Sequence, residues 1–247
     1  MNLMFLVYGI VIGSFLNVLI YRIPRKEEFV KTRSHCMKCG YQLKWYDLVP
    51  LLSWLQLGGK CRSCKTKISI QYPLIELLNG AAYLGIYHLL GFGWWTVIAC
   101  LMFSILLVVF FIDLRHMIIP NVLVITIGVI GLVWTVVTGD YLSHIAGFFV
   151  VSLLLLVIAI ISKGGMGMGD VKLMAAAGLL LGWQNILLAL MLAAIIGSVV
   201  GVTLIAMKIV ERKHPIPFGP FLSLGIMVAM LFGDSIIQWY LLSILHL

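Results

Sequence analysis

Charge is what this sequence has least of. Asp, Glu, Lys and Arg make up 11% of its 247 residues, under half the roughly 25% usual in a soluble domain. Hydrophobic residues make up 62%, more than a water-soluble chain of this size can hide. Acidic groups are scarcest, nine against 17 basic ones. No basic residue precedes the first apolar run, and its positive flank, Arg22 to Lys26, follows it. This argues against a removable signal peptide and for a retained helix that starts outside. H-E-x-x-H and G-x-S-x-G are also absent, so neither a zincin site nor a serine-hydrolase elbow is encoded.

What is present is a series of apolar runs long enough to cross a bilayer as helices. They lie near 3–21, 73–91, 94–112, 120–138, 143–161, 172–188, 190–208 and 218–244. The expected fold is an all-α polytopic membrane protein of about eight transmembrane helices. Gly178 and Gly182 interrupt the sixth run, so the splits after 170 are the softest. With both termini outside, all 17 basic residues fall in or beside inward loops. Eleven lie between Arg22 and Lys67, Arg115, Lys163 and Lys172 flank the next two inner loops, and Lys208, Arg212 and Lys213 lie in the last. The outer loops carry Asp140 and Asp234 but no basic residue. This is the positive-inside pattern. The net charge of +8 therefore reflects topology and attraction to anionic membrane lipid, and no nucleic-acid partner is expected. Three parts follow: a first helix over 1–21, a cytoplasmic cysteine domain over 22–72, and a membrane helical domain over 73–247. Gly9, Gly13 and Asn17 share a helix face, as do Gly197 and Gly201; both stripes suit close helix packing, with Asn17 placed for an interhelical hydrogen bond.

The segment 22–72 carries Cys36-Met-Lys-Cys39 and Cys61-Arg-Ser-Cys64, with 21 residues between the pairs. Two such knuckles can place four thiolates at the corners of one tetrahedron, the geometry of structural Zn2+. Disulfides are the alternative, and a cytoplasmic, reducing location argues against them. Four thiolates leave no open position for water or substrate, so the metal's role is structural. A segment this short needs such a staple, which gives a small zinc-ribbon-like insertion. The apolar residues between the knuckles, among them Leu43, Trp45, Leu48, Leu52 and Leu55, exceed what a free ribbon requires. Cys100, alone in the third run, reads as a buried filler.

Of the acidic residues, Glu27, Glu28, Asp47 and Glu211 read as solvated charge. Glu76, Asp113 and Asp170 instead lie near the inner ends of apolar helices, where an ionisable group is costly and signals a function or a buried partner. Asp113 closes the third run, and Asp170 ends the glycine-rich 164–169 stretch before the sixth. Two carboxylates around one water can hydrolyse an amide: one takes a proton from the water while the other, protonated, polarises the carbonyl. His116 and Lys172 adjoin the pair in sequence. By placement alone, aspartyl hydrolysis, ion- or proton-coupled transport and a scaffold role all remain open, as does a cap role for Asp170.

Longer strings narrow the choice. They are Gly13-Ser-Phe-Leu-Asn-Val-Leu-Ile-Tyr-Arg-Ile-Pro24, the two knuckles, Ile68-Ser-Ile-Gln-Tyr-Pro-Leu-Ile-Glu76, Asp113 with Ile119-Pro120-Asn121, Gly167-Met168-Gly169-Asp170 with Val171-Lys172-Leu173, and Pro217-Phe-Gly-Pro-Phe221. In this order they resemble the type IV prepilin peptidases, GxGD-type membrane aspartyl proteases of pilus, secretion and competence systems. The resemblance implies that Asp113 and Asp170 are the catalytic pair. It implies prepilin or pseudopilin substrates, bound through a short basic leader and a hydrophobic helix, in the bacterial inner membrane. It also implies N-methylation of the new N-terminus from S-adenosylmethionine, with Glu76, Asn17 and Arg22 as candidate residues for the cofactor or the new amine. A Rossmann glycine fingerprint is absent, so that activity cannot use an ordinary dinucleotide-type fold. Met37 and Gln71 depart from the commonest pattern, which has proline and arginine there; neither removes a thiolate or a catalytic Asp.

Overall fold

The structure is a computed structural model and describes residues 1–28, 33–162, 165–209 and 216–243. Lys31, Lys163, Gly164, Glu211, Arg212, Lys213 and the end of the last apolar run lie outside the described residues. The described chain is all-helical apart from two isolated antiparallel bridges in the cysteine segment. The helices are α1 (Asn2–Arg22), α2 (Leu52–Gln56), α3 (Gln71–Leu90), α4 (Trp94–His116), α5 (Asn121–Thr138), α6 (Tyr141–Ile161), α7 (Met168–Ala206) and α8 (Gly219–Ser243). Six of them, α1 and α4 to α8, are long and apolar enough to cross a membrane. Their outward surfaces carry Leu, Val, Ile and Phe, as a bilayer solvent requires. The chain forms two compact units, 1–104 and 105–247.

In the first unit α1 packs along α3, and the glycine stripe is the reason. A Cβ at Gly9 would lie 2.8 Å from the Asn79 carbonyl oxygen, and one at Gly13 would lie 2.8 Å from the Glu76 Cα. The backbones meet as small residues permit. The contact is locked by polar bonds that hydrocarbon cannot replace. Asn79 Nδ2 donates to the Gly9 carbonyl at 2.7 Å, the Ser104 hydroxyl donates to Asn79 Oδ1 at 2.9 Å, and Tyr83 Oη lies 3.0 Å from Ser104 Oγ. Asn17 Nδ2 donates across the helices to the Tyr72 carbonyl at 3.1 Å, the bond its stripe position predicts. Cys100 is buried, as expected.

In the second unit α7 is the hub, packing on α5, α6 and α8. At 39 residues it would span about 58 Å if straight, nearly twice the hydrocarbon thickness. It is broken instead. Gly182 has φ 76° and ψ 172°, a conformation essentially restricted to glycine. The apolar runs suggest a division near 189, seven residues later, because hydropathy registers composition and not backbone dihedrals. Before the break, Gly178 crosses Gly147 of α6 so closely that a Cβ at Gly178 would overlap the Gly147 carbonyl oxygen. Gly178→Ala should therefore push α6 from α7, costing about 1–3 kcal/mol; a lowered midpoint of thermal unfolding in detergent checks it. Beyond the break, Gly197 faces Phe221 and Phe218, with Phe221 Cδ2 3.2 Å from where its Cβ would stand. That second glycine stripe seats the beginning of α8.

Candidate active site and metal centre

The second unit brings the two singled-out aspartates to one place. Asp113 sits one turn before the end of α4, following Ile112, which is fully buried. Asp170 is the third residue of α7, and its N–H donates to the Gly167 carbonyl at 3.1 Å. The two residues are 5% and 7% exposed, and the charge of Asp113 is felt at Asp170. Small residues make the approach possible. A Cβ on Gly169 would stand 3.0 Å from the Ile119 Cβ, and one on Gly167 would stand 3.3 Å from Asp170 Oδ2. Pro120, extended at φ −65° and ψ 131°, starts α5 directly after Ile119. The glycines that precede Asp170 in sequence are thus the ones that admit its neighbours.

The third participant is backbone, and sequence reading missed it. The N–H of Gly219, first residue of α8, donates to Asp113 Oδ2 at 3.0 Å. No side chain fits there: a Cβ at Gly219 would come 2.6 Å from the same oxygen. The Pro217–Phe221 string carries the signal, though nothing in its composition says which group its N–H serves. His116 is exposed, and Lys172 points to Asn121, with Nζ donating to Oδ1 at 3.3 Å. Gly219→Ala should push the Asp113 carboxylate off the residue 219 N–H, costing about 1–3 kcal/mol; a lowered midpoint of thermal unfolding in detergent checks it.

The first unit gathers the four cysteines. Each pair sits on a tight hairpin: Cys36 N–H donates to the Tyr41 carbonyl at 2.9 Å and Cys61 N–H to the Thr66 carbonyl at 2.8 Å. The bridges His35–Gln42 and Lys60–Lys67 close the two knuckles. Gly40 turns the first at φ 69°. The four Sγ atoms lie within 4.8 Å of one another, and Cys36 Sγ is 3.8 Å from Cys64 Sγ, far beyond the 2.05 Å of a disulfide. The Thr66 hydroxyl and N–H beside Cys64 bring its thiol down to about 6 and the N–H groups of Cys39 and Lys38 lower that of Cys36, while, against the Tyr41 N–H, burial and the neighbouring sulfurs push that of Cys39 up to about 11. Thiolates are the form that binds metal. Asp47 corrects an expectation: it is not solvated but buried, accepting from Arg62 Nε at 2.7 Å and from the Lys44 N–H at 3.2 Å. Its partner is fifteen residues away in sequence.

Glu76, Asn17 and Arg22 line one cavity of about 320 Å³ in this unit, beside Ser14, Tyr72 and the first knuckle. Glu76 is buried in the second turn of α3, its Oε2 accepting the Leu51 N–H at 2.8 Å with the Ser14 hydroxyl also against it. Arg22 donates to the Glu28 and Arg33 carbonyls, at 3.1 and 3.3 Å. Leu51 has φ 60°, so the turn that presents its N–H is itself held out of the common regions.

Six long apolar helices among the described residues, two buried aspartates at helix ends and a four-cysteine cluster define a polytopic membrane protein. Residues 7–90 match the Bacterial Peptidase A24 N-terminal domain, and residues 100–202 match the Type IV leader peptidase family. The chain is 35% identical to the prepilin leader peptidase/N-methyltransferase of Aeromonas salmonicida, over 99% of this chain and 94% of that protein. It is 33% identical to the protein of the same name from Pseudomonas aeruginosa, over 94% and 91%, and 33% identical to the one from Legionella pneumophila, over 96% and 94%. The chain belongs to the type IV leader peptidase family. No solved structure matches it with significance.

Proposed function

We propose that this protein cleaves the basic leader from prepilins or pseudopilins, with Asp113 and Asp170 as the reacting pair, and then N-methylates the new N-terminus from S-adenosylmethionine. The observation that supports the first half is the burial of two carboxylates at the ends of α4 and α7, with the charge of Asp113 felt at Asp170. A pair sharing one proton has a base and an acid at once. The ionised member takes a proton from water as the oxygen attacks the scissile carbonyl, and the protonated member donates to the carbonyl oxygen. Collapse of the tetrahedral intermediate returns a proton to the leaving amine and restores the pair. Gly219 N–H engages Oδ2 of Asp113, leaving Oδ1 as the oxygen available to that water. Co-expression with a candidate prepilin tests the reading: the leader is removed in the presence of the protein and retained in its absence.

The cysteine cluster fits Zn2+. Bonds of about 2.3 Å to four tetrahedral sulfurs place those sulfurs about 3.8 Å apart, the Cys36–Cys64 separation found here. Cys36, Cys39, Cys61 and Cys64 would hold the ion, which would staple the 22–72 domain and bind no substrate. In the 320 Å³ cavity, Glu76 offers a carboxylate to a cationic sulfonium or amine, with Asn17 and Arg22 beside it. Glu76→Gln keeps the shape and removes the charge. It is expected to lower methyl transfer about tenfold or more while leaving leader removal intact, since a buried charged hydrogen bond is worth about 1.5–3 kcal/mol; separate assays of the two products on one prepilin check it.

The positive-inside pattern supports a bacterial cytoplasmic-membrane location, both termini outside, with the cysteine domain and the aspartates facing the cytoplasm. Eight crossings follow if α3 spans and if α7 crosses once on each side of Gly182. The three-part division of first helix, cysteine domain and membrane domain goes with that topology.

A further inference from the structure

The cysteine segment leaves an apolar face uncovered that neither catalysis nor metal binding uses. The 3-10 turn Trp45–Asp47 packs on α2, and together they expose Trp45 (80%), Leu52 (57%) and Leu55 (65%). Solvated loops do not usually expose a Trp and two Leu on adjoining short elements. The charge of the segment as a whole points to an occupant. Eleven of the chain's 17 basic residues lie between Arg22 and Lys67, and Asp47 is the one acidic residue between 29 and 75. Asp47 is buried and neutralised by Arg62, so it presents no negative charge at this face. Lys44 and the Arg62 guanidinium flank the Tyr46 ring, 5.8 and 5.0 Å from its centroid. Trp, Tyr and basic side chains around an apolar face are the composition of a membrane–water boundary. The segment is also tied to the bilayer at its N-terminal end, where the apolar helix α1 closes at Arg22.

We infer that the Trp45, Leu52 and Leu55 face docks on the anionic leaflet, so that the cysteine domain lies against the lipid surface instead of standing free in water. The inference rests on the cytoplasmic placement of this loop proposed above. A basic leader peptide is the wrong occupant, because it would meet charge of its own sign. Each basic residue at an anionic surface is worth about 1 kcal/mol, or about fivefold in partitioning, so lipid charge should matter.

The test uses the full-length protein in vesicles of phosphatidylglycerol or of phosphatidylcholine, carrying lipids brominated just below the headgroup. The emission of Trp45 is isolated as the difference between the wild-type protein and Trp45→Phe. It should be quenched by brominated lipid, more in the anionic vesicles than in the neutral ones, and less after Leu52→Ser with Leu55→Ser. Quenching by aqueous acrylamide with none by brominated lipid overturns the docking. So does protection from both quenchers that grows with protein density, which marks a second copy as the occupant. Equal lipid quenching in both vesicle types overturns the anionic assignment. Trypsin cleavage of the loop in inverted but not right-side-out cell membranes reports its sidedness separately, so a failure of the topology is distinguishable from a failure of the lipid contact.

Discussion

Asp170→Asn is expected to lower leader removal by about 10²- to 10⁴-fold, and Asp113→Asn by a similar factor. The reason is mutual dependence. A carboxamide is isosteric but can neither accept the proton of the attacking water nor share a proton with its neighbour, so either substitution leaves one reacting group where two are needed. The double variant should be hardly worse than either single one, because residues that act as a unit do not add. Folding should survive, since Asn keeps a carbonyl acceptor for the Gly219 N–H at position 113 and replaces a buried carboxyl at position 170 with a group of equal size. Single-turnover cleavage of a prepilin in membranes, alongside the thermal midpoint of each variant, checks both halves. An ion-coupled carrier with the same carboxylates would lose solute flux and leave prepilin untouched. A scaffold would lose neither.

The second large effect concerns the cysteines. Cys61→Ser should abolish stoichiometric zinc and release the 22–72 segment to proteolysis, because binding energy of about 10–16 kcal/mol at such sites is also folding energy. Cys61 is the buried member of the four, and its N–H closes the second knuckle. Methyl transfer should fall with it, since the cavity lined by Glu76 is also lined by Cys36 and Cys61. Elemental analysis of the purified protein and limited trypsin digestion check the outcome. Chelation of the wild-type protein should reproduce it, and re-addition of zinc should reverse it. A variant that kept a trypsin-resistant loop without metal would contradict a staple role.

Sequence carries this fold unevenly, and the reasons are physical. The cysteines were legible because a C-x2-C spacing constrains thiolates locally, and each knuckle then needs only a tight turn such as Gly40. The burial of Asp113 and Asp170 was legible because they fall at the ends of apolar runs, where a carboxylate is expensive. The α1 stripe of Gly9, Gly13 and Asn17 was legible because helix periodicity projects it onto one face. Groups that act through backbone were not. Nothing in a glycine says that the N–H of Gly219 reaches Asp113 106 residues away, or that Leu51 turns its N–H to Glu76. Hydropathy placed the division of the long apolar stretch near 189, whereas one dihedral at Gly182 makes it. Asp47 read as a loop charge because its partner Arg62 comes from the other knuckle.

The central claim is that this chain hydrolyses a prepilin leader through Asp113 and Asp170. The intact mass of a candidate prepilin, after incubation in membranes with S-adenosylmethionine and the wild-type, Asp113→Asn or Asp170→Asn protein, tests it most directly. The account predicts loss of the leader and gain of the mass of one methylene with the wild-type protein, and uncleaved prepilin with either variant. Cleavage that survives either substitution would contradict the aspartyl mechanism.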